Sequence, residues 1–171
     1  AIDTGEVSRF DPLPGEATHD PSFGCPAIWI EAASRDLANG VWEQVAEIRN
    51  ILESALSSIA NETISVGNGG ARLPNTLCLV TPGWKGETQV MQMDLAGFAV
   101  SAGSACSSGK VRASRVLTAM GYDPALAGQA IRVSIGPGVR QDDVLRFGDA
   151  WTAAYAKARA RATATSSSLP A

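Results

Sequence analysis

Histidine is nearly absent from this chain: His19 is its only one. The three cysteines, Cys25, Cys78 and Cys106, are odd in number and irregularly spaced, with no C-x-x-C pair. Those shortages argue against a zinc site and against a disulfide framework. Charge of one sign is also lacking, because a formal net charge of −3 provides no electrostatic footprint for nucleic acid or an anionic membrane. No apolar run is long enough to span a bilayer, and no signal peptide is visible, so a cytoplasmic protein is expected. What remains is a chain of 171 residues, 45% hydrophobic and 18% charged, the composition of a globular domain with a core of its own. It begins with Ala1 rather than Met, which suggests a piece of something longer.

Residues 1–30 are rich in Pro, Gly and Asp, and no helical or strand period is sustained there, so an irregular segment is expected. A long amphipathic helix is expected from Glu31 to Ile59. Trp42, Val45, Ile48, Leu52, Leu56 and Ile59 recur on one face, and Asn39-Gly40 either kinks the helix or divides it. Thr63–Val66 reads as a short strand, Asn68-Gly69-Gly70 as a turn and Thr76–Val80 as an apolar strand. Glu87–Leu95 reads as a helix with Val90, Met91 and Leu95 on one side, and Phe98–Val100 as a strand. Ser114 is placed to cap a short helix carrying Val116, Leu117 and Met120, and Asp123-Pro124 to start another. Ile131–Ile135 is expected as a strand. A final helix runs from Asp142 to about Arg161, presenting Val144, Phe147, Trp151 and Tyr155. The expected division is thus an irregular segment 1–30, a domain 31–162 and a disordered tail 163–171. The fold class is α/β, helices packed on a small sheet of about three or four strands.

The chemistry concentrates in Ser101-Ala102-Gly103-Ser104-Ala105-Cys106-Ser107-Ser108-Gly109-Lys110, followed by Arg112 and Arg115. Small neighbours bury a thiol poorly, and nearby positive charge favours the nucleophilic thiolate. Local composition leaves two readings open, an exposed reactive cysteine and a half-buried one in a strand-to-helix turn. Cys78, among Leu77, Leu79 and Val80, reads as a core residue. Lys85 reads as a solvated loop lysine, His19 as a chance surface residue, and Lys157, Arg159 and Arg161 as the exposed face of the last helix. Cys25 carries no assigned role.

Ser-Ala-Gly-Ser-Ala-Cys-Ser-Ser at 101–108 resembles the cysteine loop of pyridoxal-phosphate-dependent cysteine desulfurases, of the class-V aminotransferase family and fold type I. Three further segments are similar in order and spacing: Arg72-Leu73-Pro74-Asn75-Thr76, Leu117-Thr118-Ala119-Met120-Gly121 and Ala130-Ile131-Arg132-Val133-Ser134-Ile135-Gly136. The resemblance runs from about Glu31 to about Tyr155 and implies the C-terminal small domain of such an enzyme. It further implies that Cys106 accepts sulfur from L-cysteine as a persulfide and that Arg132 binds the substrate carboxylate. Asn75 matches a position near the active site, and is equally a turn-former. The implied partners are L-cysteine, a sulfur-acceptor protein, and the large domain or the second subunit of a homodimer, with iron–sulfur cluster biogenesis as the setting. The cofactor lysine, ring-stacking histidine and ring-nitrogen aspartate of the large domain have no counterpart here. Residues 15–24 also do not match the family's glycine-rich segment. The chain alone is therefore expected to be inactive. A cofactor-free persulfide carrier and an inactive truncated remnant stand as the alternatives.

Overall fold

The structure, a computed structural model, describes residues 26–103 and 113–167. The chain divides into two units, Ala1–Asn39 and Gly40–Ala171. In the first, α1 runs over Pro26–Ala38, with proline suited to a first helical position. The helix therefore starts inside the segment expected to be irregular. Arg35 and Glu31, one turn apart, form an exposed ion pair at 3.4 Å. The expected continuous helix is two: Gly40, at φ 69°, takes a left-handed conformation, and α2 begins at Val41.

The second unit contains α2 (Val41–Ile59), β1 (Ile64–Ser65), β2 (Thr76–Val80), α3 (Gly86–Leu95), α4 (Arg115–Ala119), α5 (Pro124–Ala127), β3 (Ala130–Ser134) and α6 (Gln141–Ser167). The helices pack on one three-stranded antiparallel sheet, ordered β1-β2-β3. Residues 98–100 form no strand. Among the described residues, that stretch meets the sheet through a single bridge, Ser101 to Arg132. The final helix passes Thr163, where a disordered tail is expected, and ends at Ser167.

Strand alternation builds two faces. In the register of β2 on β3, Leu77 lies opposite Val133 and Leu79 opposite Ile131, while Cys78 lies opposite Arg132 and Val80 opposite Ala130. Leu77, Leu79, Ile131 and Val133 are all buried and form one core with Val45, Leu52 and Leu56 of α2, Met93 of α3, and Val144, Phe147 and Trp151 of α6. On the other face Val80 and Ala130 meet Leu117 and Ala127 of the two short helices, and Cys78 packs against them.

The α2 stripe differs from expectation at both its middle and its end. Arg49 is buried within it, and Ile59 is half exposed while Ala60 turns inward. On α3 the buried residues are Gly86, Gln89 and Met93, whereas Met91 and Leu95 face outward at 59% and 82% exposure. Hydrogen bonding explains this choice of face. Gln89 is fully buried, and its amide donates to the carbonyls of Trp84 (2.9 Å) and Gln129 (3.1 Å) while its oxygen accepts from Trp151 Nε1 (3.3 Å). One side chain thus ties α3, the segment before β3, and α6. Trp151 in turn stacks on Tyr155 at 5.2 Å between ring centroids. The first turn of α3 is equally tight, since a Cβ on Gly86 would lie 2.5 Å from the Ala130 carbonyl oxygen.

Gln89→Leu leaves two carbonyls and an indole N–H without that partner, and is expected to cost at least ~2 kcal/mol. Met91→Ala, on the outward face, is expected to cost under about 0.5 kcal/mol. Urea unfolding of the two variants checks the assignment, and equal losses would contradict it.

Candidate active site

The second sheet face holds the candidate site. Cys78 and Arg132 are direct cross-strand partners, so their side chains leave the sheet on the same side. The neighbour of Arg132 on its other flank is Ser101, and the two residues exchange backbone hydrogen bonds of 2.7 and 3.1 Å. Arg132 Nη2 also donates to Ser101 Oγ at 3.5 Å. Cys78, Arg132 and Ser101 thus stand in a row across the sheet. They line a cavity of about 230 Å³ together with Val116, Leu117 and Met120. A second cavity of about 400 Å³, lined by Lys85, Glu87 and Gln129 among others, shares Gly103 with the first.

Helix α4 supplies one wall. Ser114 caps it, its hydroxyl accepting from the Leu117 N–H at 3.3 Å. The cap fixes the short helix so that Leu117 turns into the core while Val116 and Met120, one turn apart, are 69% and 54% exposed.

Arg132 has no ion-pair partner among the described residues. A guanidinium on a cavity wall with one weak hydroxyl contact is a free anion-binding group, suited to two parallel bonds from a carboxylate. Burial pushes the Cys78 thiol up, and the Arg132 charge opposes that only in part, so the thiol stays protonated. Cys78 is half-buried: it packs against the small core of Val80, Leu117, Ala127 and Ala130, as its apolar neighbours suggest, and also lines the cavity. The strand's two-residue period was the signal that would have separated it from Leu77 and Leu79.

Asn75 immediately precedes β2. Its carbonyl accepts from the Ile135 N–H at 2.9 Å, and its side-chain oxygen from Thr76 Oγ1 at 3.3 Å. It is not among the residues lining either cavity. Behind that turn lies an ionic cluster the sequence did not announce. Arg72 pairs with Glu53, which also accepts from Ser65 Oγ. Arg49 Nη1 donates to the Leu73 carbonyl at 2.6 Å. The cluster ties α2 to the turn that carries Arg72-Leu73-Pro74-Asn75. Cys106, Lys110 and Arg112 lie outside the described residues, as do Cys25 and His19. Lys85 is exposed at the start of α3, as expected of a solvated lysine.

Fold and site together define a small α/β domain with an arginine-bearing cavity on one face of its sheet. No family model matches the chain. It is similar to an IscS-like cysteine desulfurase of Mycobacterium tuberculosis, 29% identical over 137 residues, which cover 78% of this chain and 35% of that protein. A cysteine desulfurase of Gluconacetobacter diazotrophicus is 35% identical over 116 residues, 68% of this chain and 29% of that protein. Among solved structures, a NifS-like protein from Rickettsia africae aligns with a TM-score of 0.58 at 27% identity, covering 67% of this chain and 29% of that one. Another NifS-like protein aligns at 0.65 and 25% identity, covering 76% and 32%. Over the matched residues, sequence and fold are consistent with a partial region of a cysteine desulfurase. The chain spans about a third of the length of these relatives.

The resemblance implies pyridoxal phosphate, whose aldehyde needs a lysine amine. The lysines among the described residues are Lys85 and Lys157, and neither lines the Arg132 cavity. Among the described residues, that lining also contains no carboxylate and no histidine. The residues described do not fit the cofactor.

Burial raises the Glu53 carboxyl, but the hydrogen bonds from Arg72 and Ser65 and the charges of Arg72 and Arg49 outweigh it and hold the group below its usual range. A carboxyl depressed on folding contributes stability above its unfolded value of about 4.3 and loses it as pH falls through the lower folded value. Acid unfolding of the wild type is therefore expected to be steeper below about pH 4.3 than that of Glu53→Gln. Circular dichroism against pH checks this, and superimposed acid limbs would contradict it.

Proposed function

We propose that this domain serves sulfur transfer of the cysteine desulfurase type, with Arg132 binding the carboxylate of an amino-acid sulfur donor and Cys106 accepting the sulfur. The unpaired guanidinium on a cavity wall is the observation that carries the reading. Net transfer from L-cysteine breaks the donor's carbon–sulfur bond, leaves a persulfide on the Cys106 thiol and releases L-alanine. In this reading Arg132 fixes the donor's orientation, while Ser101 holds Arg132 through the paired backbone bonds. Support for Cys106 comes from the sequence: it stands five residues beyond Ser101, in the segment that resembles the family's cysteine loop. Asn75 enters as a support of the turn before β2, with a substrate contact assigned to it only by the resemblance.

Bond cleavage calls for an electron sink, which pyridoxal phosphate supplies in the family. Because the described residues do not fit that cofactor, we assign it to polypeptide carrying the large domain, and this chain alone is inactive in the proposal. The chain's further partners are then that large domain or a second subunit, and a sulfur-acceptor protein that takes the persulfide. A cytoplasmic setting and a role in iron–sulfur cluster biogenesis belong to the same reading. A second reading, a cofactor-free persulfide carrier, is favoured by the same cavity, which no lysine lines among the described residues. Here a persulfide donor passes its outer sulfur to the Cys106 thiol and leaves as a thiol.

Purified chain incubated with L-cysteine, pyridoxal phosphate and reductant is expected to release no sulfide above a Cys106→Ala control. Release that the control abolishes would sink the claim that a further domain is needed. In parallel, mass spectrometry after treatment with a small-molecule persulfide is expected to show one added sulfur atom on the Cys106 peptide. Sulfur on Cys78 instead would overturn the assignment of the acceptor.

A further inference from the structure

We propose that Gly86 is a positioning residue for Arg132. Its bare Cα seats against Ala130 and Ala102, ends the pairing of residues 101–103 with β3 at Ser101, and so fixes the backbone frame that holds the guanidinium. The inference rests on the reading of Arg132 as a carboxylate clamp and adds a residue outside the cavity lining that sets the clamp's geometry.

Three observations carry it. The first is space. A Cβ on Gly86 would lie 2.5 Å from the Ala130 carbonyl oxygen, 3.1 Å from the Ala102 Cβ and 3.3 Å from the Gly128 carbonyl oxygen. Two of those three neighbours are backbone atoms, which cannot rotate away as a side chain can. A residue without a side chain is what lets these segments approach so closely.

The second is the place where a ladder stops. Ser101 and Arg132 exchange both backbone hydrogen bonds, and two residues along an antiparallel register the next such pair would be Gly103 with Ala130. The bridge at Ser101 is instead isolated. By the two-residue alternation, the Ala130 carbonyl points to the same strand edge as that of Arg132. There it meets Gly86. The start of α3 thus stands where a further rung would form.

The third is the difference in stiffness between the two sides of the contact. The Gly86 N–H donates to the Gly128 carbonyl at 3.0 Å, the Gly83 N–H to Gln129 Oε1 at 2.9 Å, and the Gln89 amide to the Gln129 carbonyl at 3.1 Å. Ala130 is held further by its place opposite Val80. The start of α3 and residues 128–130 therefore move as one body. Ser101-Ala102 meets the sheet through its one bridge. A methyl group added at position 86 consequently displaces Ala102 and strains the Ser101–Arg132 rung, rather than lifting α3 from the strand.

The test compares wild type, Gly86→Ala and Gly86→Ala/Ala102→Gly in the full chain. The second substitution removes the Ala102 methyl, so the methyl at position 86 gains room to move away from the Ala130 carbonyl. Amide hydrogen exchange followed by NMR is expected to be about tenfold faster at Ser101 and Arg132 in Gly86→Ala. Exchange at Trp151 Nε1, which reports the Gln89 contacts of α3, is expected to stay unchanged. The double variant is expected to return both amides to within about twofold of wild type. Equilibrium dialysis of radiolabelled L-alanine, the product of the proposed transfer, reads the guanidinium itself. Gly86→Ala is expected to bind it about tenfold more weakly, the double variant like wild type, and Arg132→Gln not at all. Equal acceleration at Ser101, Arg132 and Trp151 Nε1, or wild-type exchange at all three, overturns the inference. So does a double variant as impaired as the single one, or faster exchange with unchanged L-alanine binding. If Gly86→Ala does not fold, the double variant decides: wild-type exchange supports the inference, and a second failure to fold overturns it. If wild type shows no saturable L-alanine binding, the clamp reading falls, and the exchange rates alone decide whether Gly86 positions Arg132.

Discussion

The site depends on the register of β2 on β3. In that register four apolar side chains, Leu77, Leu79, Ile131 and Val133, enter the core under α2, α3 and α6, and Cys78 and Arg132 take the opposite face. A slip of one residue would exchange the two sets. It would bring Arg132 into a core built from Leu52, Leu56, Met93 and Trp151, where an unpaired guanidinium costs several kcal/mol. It would also turn Ile131 and Val133 out toward solvent. Both penalties oppose the slip, so the core enforces the position of the clamp without any contact made for that purpose. The far flank of β3 then pairs with Ser101, so the register also locates the start of the segment leading to Cys106.

Arginine does two different jobs in this domain, distinguished by partners rather than by sequence neighbours. Arg49 and Arg72 are satisfied within the fold: one donates to the Leu73 carbonyl and Asn50, the other pairs with Glu53. Burial and the Arg72 charge push the Arg49 guanidinium below its ordinary value, with Glu53 opposing them, so the cluster holds together only as a set. Removing one member would leave the others partly buried and under-paired. Arg132 faces a cavity with one weak hydroxyl contact instead. A structural arginine is recognised by the acceptors that surround it. A binding arginine is recognised by their absence where there is room for a ligand.

Much of the fold was legible because the apolar period is strong where elements are long. The β2 boundaries, the Ser114 cap, the Asp123-Pro124 helix start and the inward series Val144, Phe147 and Trp151 on α6 all follow from local chemistry. On α3 the period misleads. Its apolar residues point to Met91 and Leu95, but the helix turns Gln89 inward because that amide meets two carbonyls and an indole N–H. Those partners come from residues up to 62 positions away, which local spacing does not encode. Phe98–Val100 looks like a strand for the same local reasons, and lacks the regular partner that would make it one. In the site, Arg132 was legible through the resemblance. The core packing of Cys78 was legible from its apolar run; its place on the cavity wall was not, because that depends on the face it takes. The ionic cluster at Glu53 was hidden because its members are spread over α2, β1 and the following turn.

A single strand pair thus carries both the core and the ligand face, separated only by the two-residue alternation of its side chains. That arrangement decouples stability from recognition. Changes at Cys78 or Arg132 alter the cavity without touching Leu77, Leu79, Ile131 or Val133, which supply the burial. Effects at sites that share no partners add approximately independently. The short helices sharpen the division, because Leu117 and Ala127 pack where Val80 meets Ala130. The cavity wall can then vary around Arg132 while the opposite face continues to specify the fold. This is the physical basis on which one domain architecture serves different ligands, with the chemistry residing in Arg132 and its surroundings rather than in the fold.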